Sequence, residues 1–115
     1  MNQIIPSTYK RRVGPRRALR SALVLTLPGN KLLKGEAWDL GEDGVGLVCS
    51  KPVSPGTACR VTLDLPYEGQ SIAVKAAVKI VYSSYLGPEK FKLGAVFSRL
   101  DEESSRLIRE FVSGG

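Results

Sequence analysis

The sequence predicts a mainly β protein, a small six-stranded antiparallel β-barrel with a C-terminal α-helix. Three observations carry this prediction: six short segments of alternating apolar and polar residues, glycine- and proline-rich turns between them, and a change to helical periodicity near the C-terminus. Short strands at close spacing are typical of small barrels, whose interior is lined by one face of each strand. The 115 residues, 43% of them apolar, suffice for one hydrophobic core, so we expect a single domain.

The predicted strands follow one another with short connections. They span residues 21–27, 35–40, 45–49, 60–65, 71–82 and 90–97. The fifth segment has the longest alternation, so its apolar residues from Ile72 to Tyr82 are expected on one inner face. Glycine, proline and acidic residues predict turns at 28–30, 41–44 and 66–69, and a loop at 83–89.

The last segment, residues 100–112, has the period of a helix. Asp101 is its expected N-cap, and the acidic residues that follow suit the positive end of the helix dipole. The expected apolar stripe consists of Leu107, Ile108, Phe111 and Val112. We therefore expect this helix to cover part of the barrel.

Positive charge is concentrated near the N-terminus. The chain has 17 lysines and arginines against 11 acidic residues, and no acidic residue precedes Glu36. Six cations lie between residues 10 and 20, namely Lys10, Arg11, Arg12, Arg16, Arg17 and Arg20. Because Gly14 and Pro15 disfavour a helix, we expect an extended loop here, with a flexible leader at 1–9 and one domain over 10–113. Such an arm indicates a polyanionic partner: nucleic acid, nucleotide or acidic lipid headgroup.

Residues needed for several kinds of chemistry are absent from the sequence. It contains no histidine, and Cys49 and Cys59 do not form a CxxC pair. A Cys/His zinc site and a Ser-His-Asp triad are thereby excluded, and we expect neither a metal nor an enzyme. No apolar run reaches the roughly 20 residues of a membrane helix, and no secretory signal is recognisable. We expect a cytoplasmic protein with free thiols and no membrane insertion.

The arginines Arg11, Arg12 and Arg16 form the first candidate binding motif. A guanidinium offers five donors in a planar fork, which can clamp a phosphate or bond to O6 and N7 of a guanine. A basic tail that only aids solubility is the alternative interpretation.

The segment from Asp39 to Leu47 forms the second candidate motif, a tight strand–turn–strand. Gly41 and Gly44 are expected to permit positive φ, which would turn backbone N–H groups toward an anion. The Asp39 carboxylate could accept two parallel hydrogen bonds from a guanine, although a plain hairpin would have the same composition. Trp38 is expected in the core, with base stacking as the alternative, and Glu42 and Asp43 are expected to be solvated.

Together, the two motifs resemble the PilZ domain family of bacterial receptors for the second messenger cyclic di-GMP. The family pattern is RxxxR followed by [D/N]xSxxG. Arg12 and Arg16 match its first half, and Asp39 and Gly44 match its second half, while Gly41 stands where the family has serine. Residues 94–97 resemble the Gly-x-x-Phe strand of the family, so the resemblance covers roughly residues 8–113.

The resemblance implies a receptor switched by its ligand. Arg12 and Arg16 would bind phosphates and guanine Hoogsteen edges, and Asp39 a guanine Watson–Crick edge. Arg11 resembles the extra arginine of members that bind an intercalated cyclic di-GMP dimer, where it stacks on a base. Binding would pin the arm against the barrel and create a surface for a downstream protein partner that controls motility, biofilm or exopolysaccharide output.

Two other functions stay open. A small nucleic-acid-binding barrel would use the arm as a clamp, but the predicted strands lack clustered aromatics for base stacking. A PilZ-like module for protein contact alone is favoured only by Gly41, which removes a hydroxyl. One such hydrogen bond is worth roughly 0.5–1.5 kcal/mol, so we expect weaker binding rather than its loss.

Overall fold

A computed structural model describes residues 15–114. Its elements are β1 (Arg16–Leu27), β2 (Lys31–Gly41), β3 (Gly44–Cys49), β4 (Ala58–Tyr67), β5 (Gln70–Gly87), β6 (Lys90–Arg99) and α1 (Glu102–Val112). The strands pair antiparallel in a closed barrel in the order β1-β2-β3-β6-β5-β4. This confirms the predicted fold class. The expected leader at 1–9, with Arg11 and Arg12 of the arm, lies outside the described residues.

The core fills the barrel interior with alternate side chains of the strands. Its fully buried members include Leu23, Leu25, Leu40, Leu47, Leu63, Leu65, Ile80 and Leu93. The predicted stripe on α1 is also buried and packs against this core. Because each strand turns its apolar side chains inward, its polar side chains lie on the outer face of the barrel, where they can form a binding site.

The helix packs beside the seam between β1 and β4, the two strands with the shortest pairing in the barrel. β1 pairs with β4 over only four residues, Leu23 to Thr26, and α1 packs against both strands. At the end of the helix, the Arg17 guanidinium donates to the Phe111 carbonyl oxygen at 2.6 Å and lies 4.4 Å from the centre of its ring. A cation at this end suits the unpaired carbonyls of the last turn.

Asp101 caps the helix as predicted. Its Oδ1 accepts from the Ser104 backbone N–H at 2.7 Å, and this bond lowers the pKa of Asp101. The helix itself begins at Glu102, two residues later than expected.

Two segments predicted as loops are strands. Residues 16–20 of the arm belong to β1, because their backbone pairs with the end of β2, including Arg16 opposite Gly41. Residues 83–87 extend β5 in a long hairpin, in which the Tyr85 and Phe91 rings meet edge to face at 5.6 Å. In residues 16–20, pairing with a neighbouring strand outweighs the repulsion between like charges. In residues 83–87, it outweighs the loop preference of the local sequence.

Candidate functional site

A β-bulge in β2 places Asp39 on the outer face. The register with β3 shifts between Ala37 and Asp39, so the inward positions change from Ala37 to Leu40, both fully buried. The Asp39 carboxylate lies over Gly46 of β3, where a Cβ would stand 3.0 Å from both carboxylate oxygens. Glycine at position 46 therefore provides the space in which this carboxylate lies.

Arg16 meets Asp39 across the paired strands β1 and β2. The guanidinium donates to Asp39 Oδ1 from Nη2 at 2.7 Å and from Nε at 3.2 Å, and to Asp43 Oδ1 from Nη1 at 2.8 Å. The three side chains are 24%, 33% and 29% exposed, respectively. The two candidate motifs, 23 residues apart in sequence, thus converge on one partly buried cluster of charges, and the expectation that Asp43 is merely solvated is wrong.

The two turn glycines serve close packing rather than unusual backbone angles. Neither Gly41 nor Gly44 has positive φ, so the expectation that they turn N–H groups toward an anion through left-handed backbone is wrong. A Cβ on Gly41 would stand 2.8 Å from Arg16 Cδ and 2.9 Å from Asp43 Oδ1. A Cβ on Gly44 would overlap the backbone carbonyl of Ala95 on β6.

Two glycines allow side chains to lie directly over the strands beside the charged cluster. Gly46 of β3 pairs directly with Gly94 of β6, and the Tyr82 ring lies over Gly94, with its Cδ2 2.6 Å from where a Cβ would be. A bulge between Ile80 and Tyr82 brings this ring outside the core, which corrects its predicted inward position. A cavity of about 130 Å³ lies between Tyr82, Gly94 and Arg16.

Trp38 lies on the outer face and not in the core, contrary to the first expectation. Trp38 alternates with the inward Ala37 and therefore faces outward, where its Nε1 donates to Glu36 Oε1 at 3.0 Å. The Arg20 guanidinium is 4.5 Å and the Lys92 ammonium 5.9 Å from its ring centroid. The predicted first strand began at residue 21, which left Arg20 in the arm, and no sequence pattern places Arg20 or Lys92 beside Trp38.

Chemically, the arrangement can bind an anion and a planar ring together. Arg16 supplies a forked cation that suits an anion, and Asp39 supplies two acceptor oxygens that suit the N–H edge of a planar base. A family model described as PilZ domain matches residues 10–114. The chain belongs to the PilZ domain family.

Solved structures with this PilZ fold share little sequence with the chain. The inhibitor of motility MotI/DgrA from Bacillus subtilis has a TM-score of 0.78 and 14% identity, over 90% of this chain and 50% of that one. The PilZ domain of YcgR from Escherichia coli, with c-di-GMP, has a TM-score of 0.72 and 15% identity, over 90% of both chains. PlzA from Borreliella burgdorferi, in complex with c-di-GMP, has a TM-score of 0.57 and 14% identity, over 93% of this chain and 43% of that one. The chain thus spans half the length of MotI/DgrA. A search of the curated proteins found no match.

Four of the six expected PilZ site residues lie together in the structure. Arg16 and Asp39 are in contact, and Gly41 and Gly44 flank the turn beside them. Arg11 and Arg12 lie outside the described residues. The described part of the PilZ motif therefore lies together on β1, β2 and β3.

Within residues 15–114, neither a metal-binding cluster nor a membrane-spanning helix is present, and both thiols are buried. This range holds no group of three His, Cys, Asp or Glu residues placed to bind a metal. No helix within it is long and apolar enough to cross a membrane. Cys49 and Cys59 are free, and burial raises the pKa of both thiols, so neither is activated as a nucleophile at neutral pH.

Proposed function

We propose that this PilZ domain is a receptor that binds cyclic di-GMP on the outer face of β1, β2 and β3. The observation that carries the proposal is the contact between Arg16 and Asp39, at 2.7 Å, which joins the two halves of the PilZ motif in space. Two structural neighbours, the YcgR domain and PlzA, are described with c-di-GMP, which supports the same ligand class here.

Each motif residue has a role that suits its chemistry. Arg12 and Arg16 bind phosphate oxygens and guanine Hoogsteen edges through their forked donors. Asp39 accepts from the N1–H and N2–H groups of a guanine. Gly41 leaves room for the Arg16 side chain beside the turn, and Gly44 lets β3 pair closely with β6.

The receptor acts by binding rather than by catalysis. Its ligand pins the N-terminal arm against the barrel, and a downstream protein recognises the altered surface. The neighbour MotI/DgrA is described as an inhibitor of motility, which is an output of this kind. The two free thiols suit the reducing cytoplasm, in which we place the protein.

Calorimetric titration of the wild type with cyclic di-GMP tests the proposal. We expect a dissociation constant on the order of micromolar or tighter, and at least tenfold weaker binding of cyclic di-AMP, because adenine lacks the N1–H and N2–H donors that Asp39 requires. Tight binding of a single-stranded oligonucleotide without a response to cyclic di-GMP would instead favour the nucleic-acid-binding function. If the protein binds neither ligand, the remaining function is that of a PilZ-like module for protein contact alone.

Stoichiometry in the same titration tests the role of Arg11. We expect two cyclic di-GMP molecules per wild-type chain, because an extra guanidinium can stack on a base of an intercalated dimer. Replacement of Arg11 by alanine should reduce the ratio to one. An unchanged ratio of two would remove Arg11 from the site, and a ratio of one in the wild type would exclude the dimer.

A further inference from the structure

The guanidinium of Arg16 is held by two carboxylates, although the PilZ motif accounts for only one of them. Asp39 occupies Nε and Nη2, and Asp43 occupies Nη1 at 2.8 Å. Three donor nitrogens of the side chain are thus engaged by acidic residues of the same hairpin. Within residues 15–114, only two of the five guanidinium N–H groups, one on each Nη, are without a carboxylate partner, so Asp39 and Asp43 compete with an approaching anion for Arg16.

The backbone of Asp43 is held in place independently of Arg16. Its backbone carbonyl accepts from the Phe97 N–H of β6 at 2.9 Å, so the turn is tied to the next strand of the barrel. The carboxylate lines the cavity of about 130 Å³ beside Tyr82 and Gly94. When Arg16 moves toward a ligand, the negative charge of Asp43 therefore stays at the site.

Gly41 makes room for this second ion pair. A side chain there would stand within 2.9 Å of Asp43 Oδ1 and within 2.8 Å of Arg16 Cδ, so both groups would have to shift. The PilZ pattern has serine at this position, which indicates that a Cβ is compatible with ligand binding. Gly41 and Asp43 act together on the position of one guanidinium.

We propose that Asp43 is an affinity-determining residue that competes with the anionic ligand for Arg16. The proposal rests on the proposed function and adds to it the cost of displacing Asp43. Three carboxylates, those of Asp39, Glu42 and Asp43, lie within five residues of this hairpin, so a phosphate that approaches Arg16 is also repelled by negative charge. The Asp43 carboxylate thereby lowers affinity in two ways, by holding Arg16 and by repelling phosphate.

Replacement of Asp43 by asparagine, with Glu42→Gln as matched control, separates these two effects. Both variants remove one negative charge from the same turn, but the exposed Glu42 forms no hydrogen bond or ion pair among residues 15–114. We expect Asp43→Asn to bind cyclic di-GMP about fivefold more tightly than the wild type, as loss of a partly exposed ion pair implies, and Glu42→Gln to change affinity less than twofold. Calorimetry of the three proteins gives the comparison.

A second variant removes the same contact by steric exclusion and leaves every charge in place. Gly41→Ala should displace Arg16 from Asp43 and also tighten binding, by about twofold to fivefold. The double variant Gly41→Ala, Asp43→Asn should bind no more tightly than Asp43→Asn alone, because both changes free one guanidinium. Fully additive gains would overturn the proposed link between the two residues.

The other outcomes are equally decisive. Equal gains in Asp43→Asn and Glu42→Gln would assign the effect to net charge and overturn competition for Arg16. Wild-type binding that Asp43→Asn leaves unchanged or weakens would overturn this proposal alone. Absence of binding in the wild type and in every variant would overturn the proposed function and this inference together.

Discussion

Replacement of Arg16 by alanine is expected to weaken cyclic di-GMP binding at least a hundredfold. In the proposed complex, the Arg16 guanidinium bonds a phosphate and a guanine edge. Its removal eliminates two charge-assisted hydrogen bonds, each worth about 1.5–3 kcal/mol. The substitution also leaves Asp39 and Asp43 without the cation that lies 2.7–2.8 Å from each of them, so their charges repel the ligand. Calorimetry at constant salt concentration measures the change.

Arg60→Ala is the matched control for Arg16→Ala. Arg60 is exposed on β4, on another part of the barrel, and forms no ion pair within residues 15–114. It removes the same charge, and we expect less than a threefold effect because salt screens distant surface charges. Equal losses in the two variants would mean that the ligand responds to overall charge, and Arg16 would lose its specific role.

Replacement of Gly44 by alanine is expected to destabilise the protein by about 2–4 kcal/mol. The added Cβ would overlap the Ala95 carbonyl and lie 3.0 Å from Val96 Cα, and both are backbone groups of β6. Relief of the overlap requires β3 and β6 to separate where they pair, and overpacking without room to relax costs about 1–3 kcal/mol or more. Urea denaturation of the wild type and variant measures the free energy of unfolding.

Gly87→Ala provides the control for this substitution. Gly87 also lies in a strand, but a Cβ there would have no neighbour within 4 Å, and its φ is not in the left-handed region. We expect its free energy of unfolding to stay within about 0.5 kcal/mol of the wild type. If both glycines tolerate alanine equally, the close approach of β3 to β6 does not constrain Gly44.

The two variants divide the PilZ motif by function. Arg16→Ala should impair ligand binding in a protein that remains folded, whereas Gly44→Ala should impair the fold itself. Gly44, which the motif alone presents as a binding residue, is thus also part of the scaffold that positions Asp39 and Arg16.

The sequence predicted the fold well where alternation was regular. The segment from Ile72 to Ile80 and the stripe of α1 were assigned to the interior correctly, because period 2 and period 3.6 patterns report burial directly. Trp38 and Tyr82 were assigned wrongly. Tyr82 follows a bulge, which inserts one residue and reverses the faces of the positions after it, and no local pattern reveals such a shift. Trp38 faces outward in ordinary alternation with the buried Ala37, and its ring lies against Arg20 rather than in the core.

The site was predictable in outline only. Arg16 and Asp39 were expected to converge, and they do, but this depended on the resemblance to PilZ domains rather than on local pattern. The ion pair with Asp43 was missed because acidic turn residues are usually solvated. The space required at Gly44 depends on Ala95, about 50 residues later, and such contacts are set by barrel closure rather than by sequence neighbours.

The seam beside α1 gives the first half of β1 unequal support. Among residues 15–114, the strand segments 16–18 and 21–22 pair with β2 alone, whereas Leu23 to Thr26 pair with β2 and β4. Local opening of that half breaks one ladder and leaves the ring of six strands joined. The amide protons in the first half of β1 therefore exchange with solvent through local opening, which costs less free energy than unfolding of the barrel. Arg16, which lies in this half, can move without unfolding of the barrel.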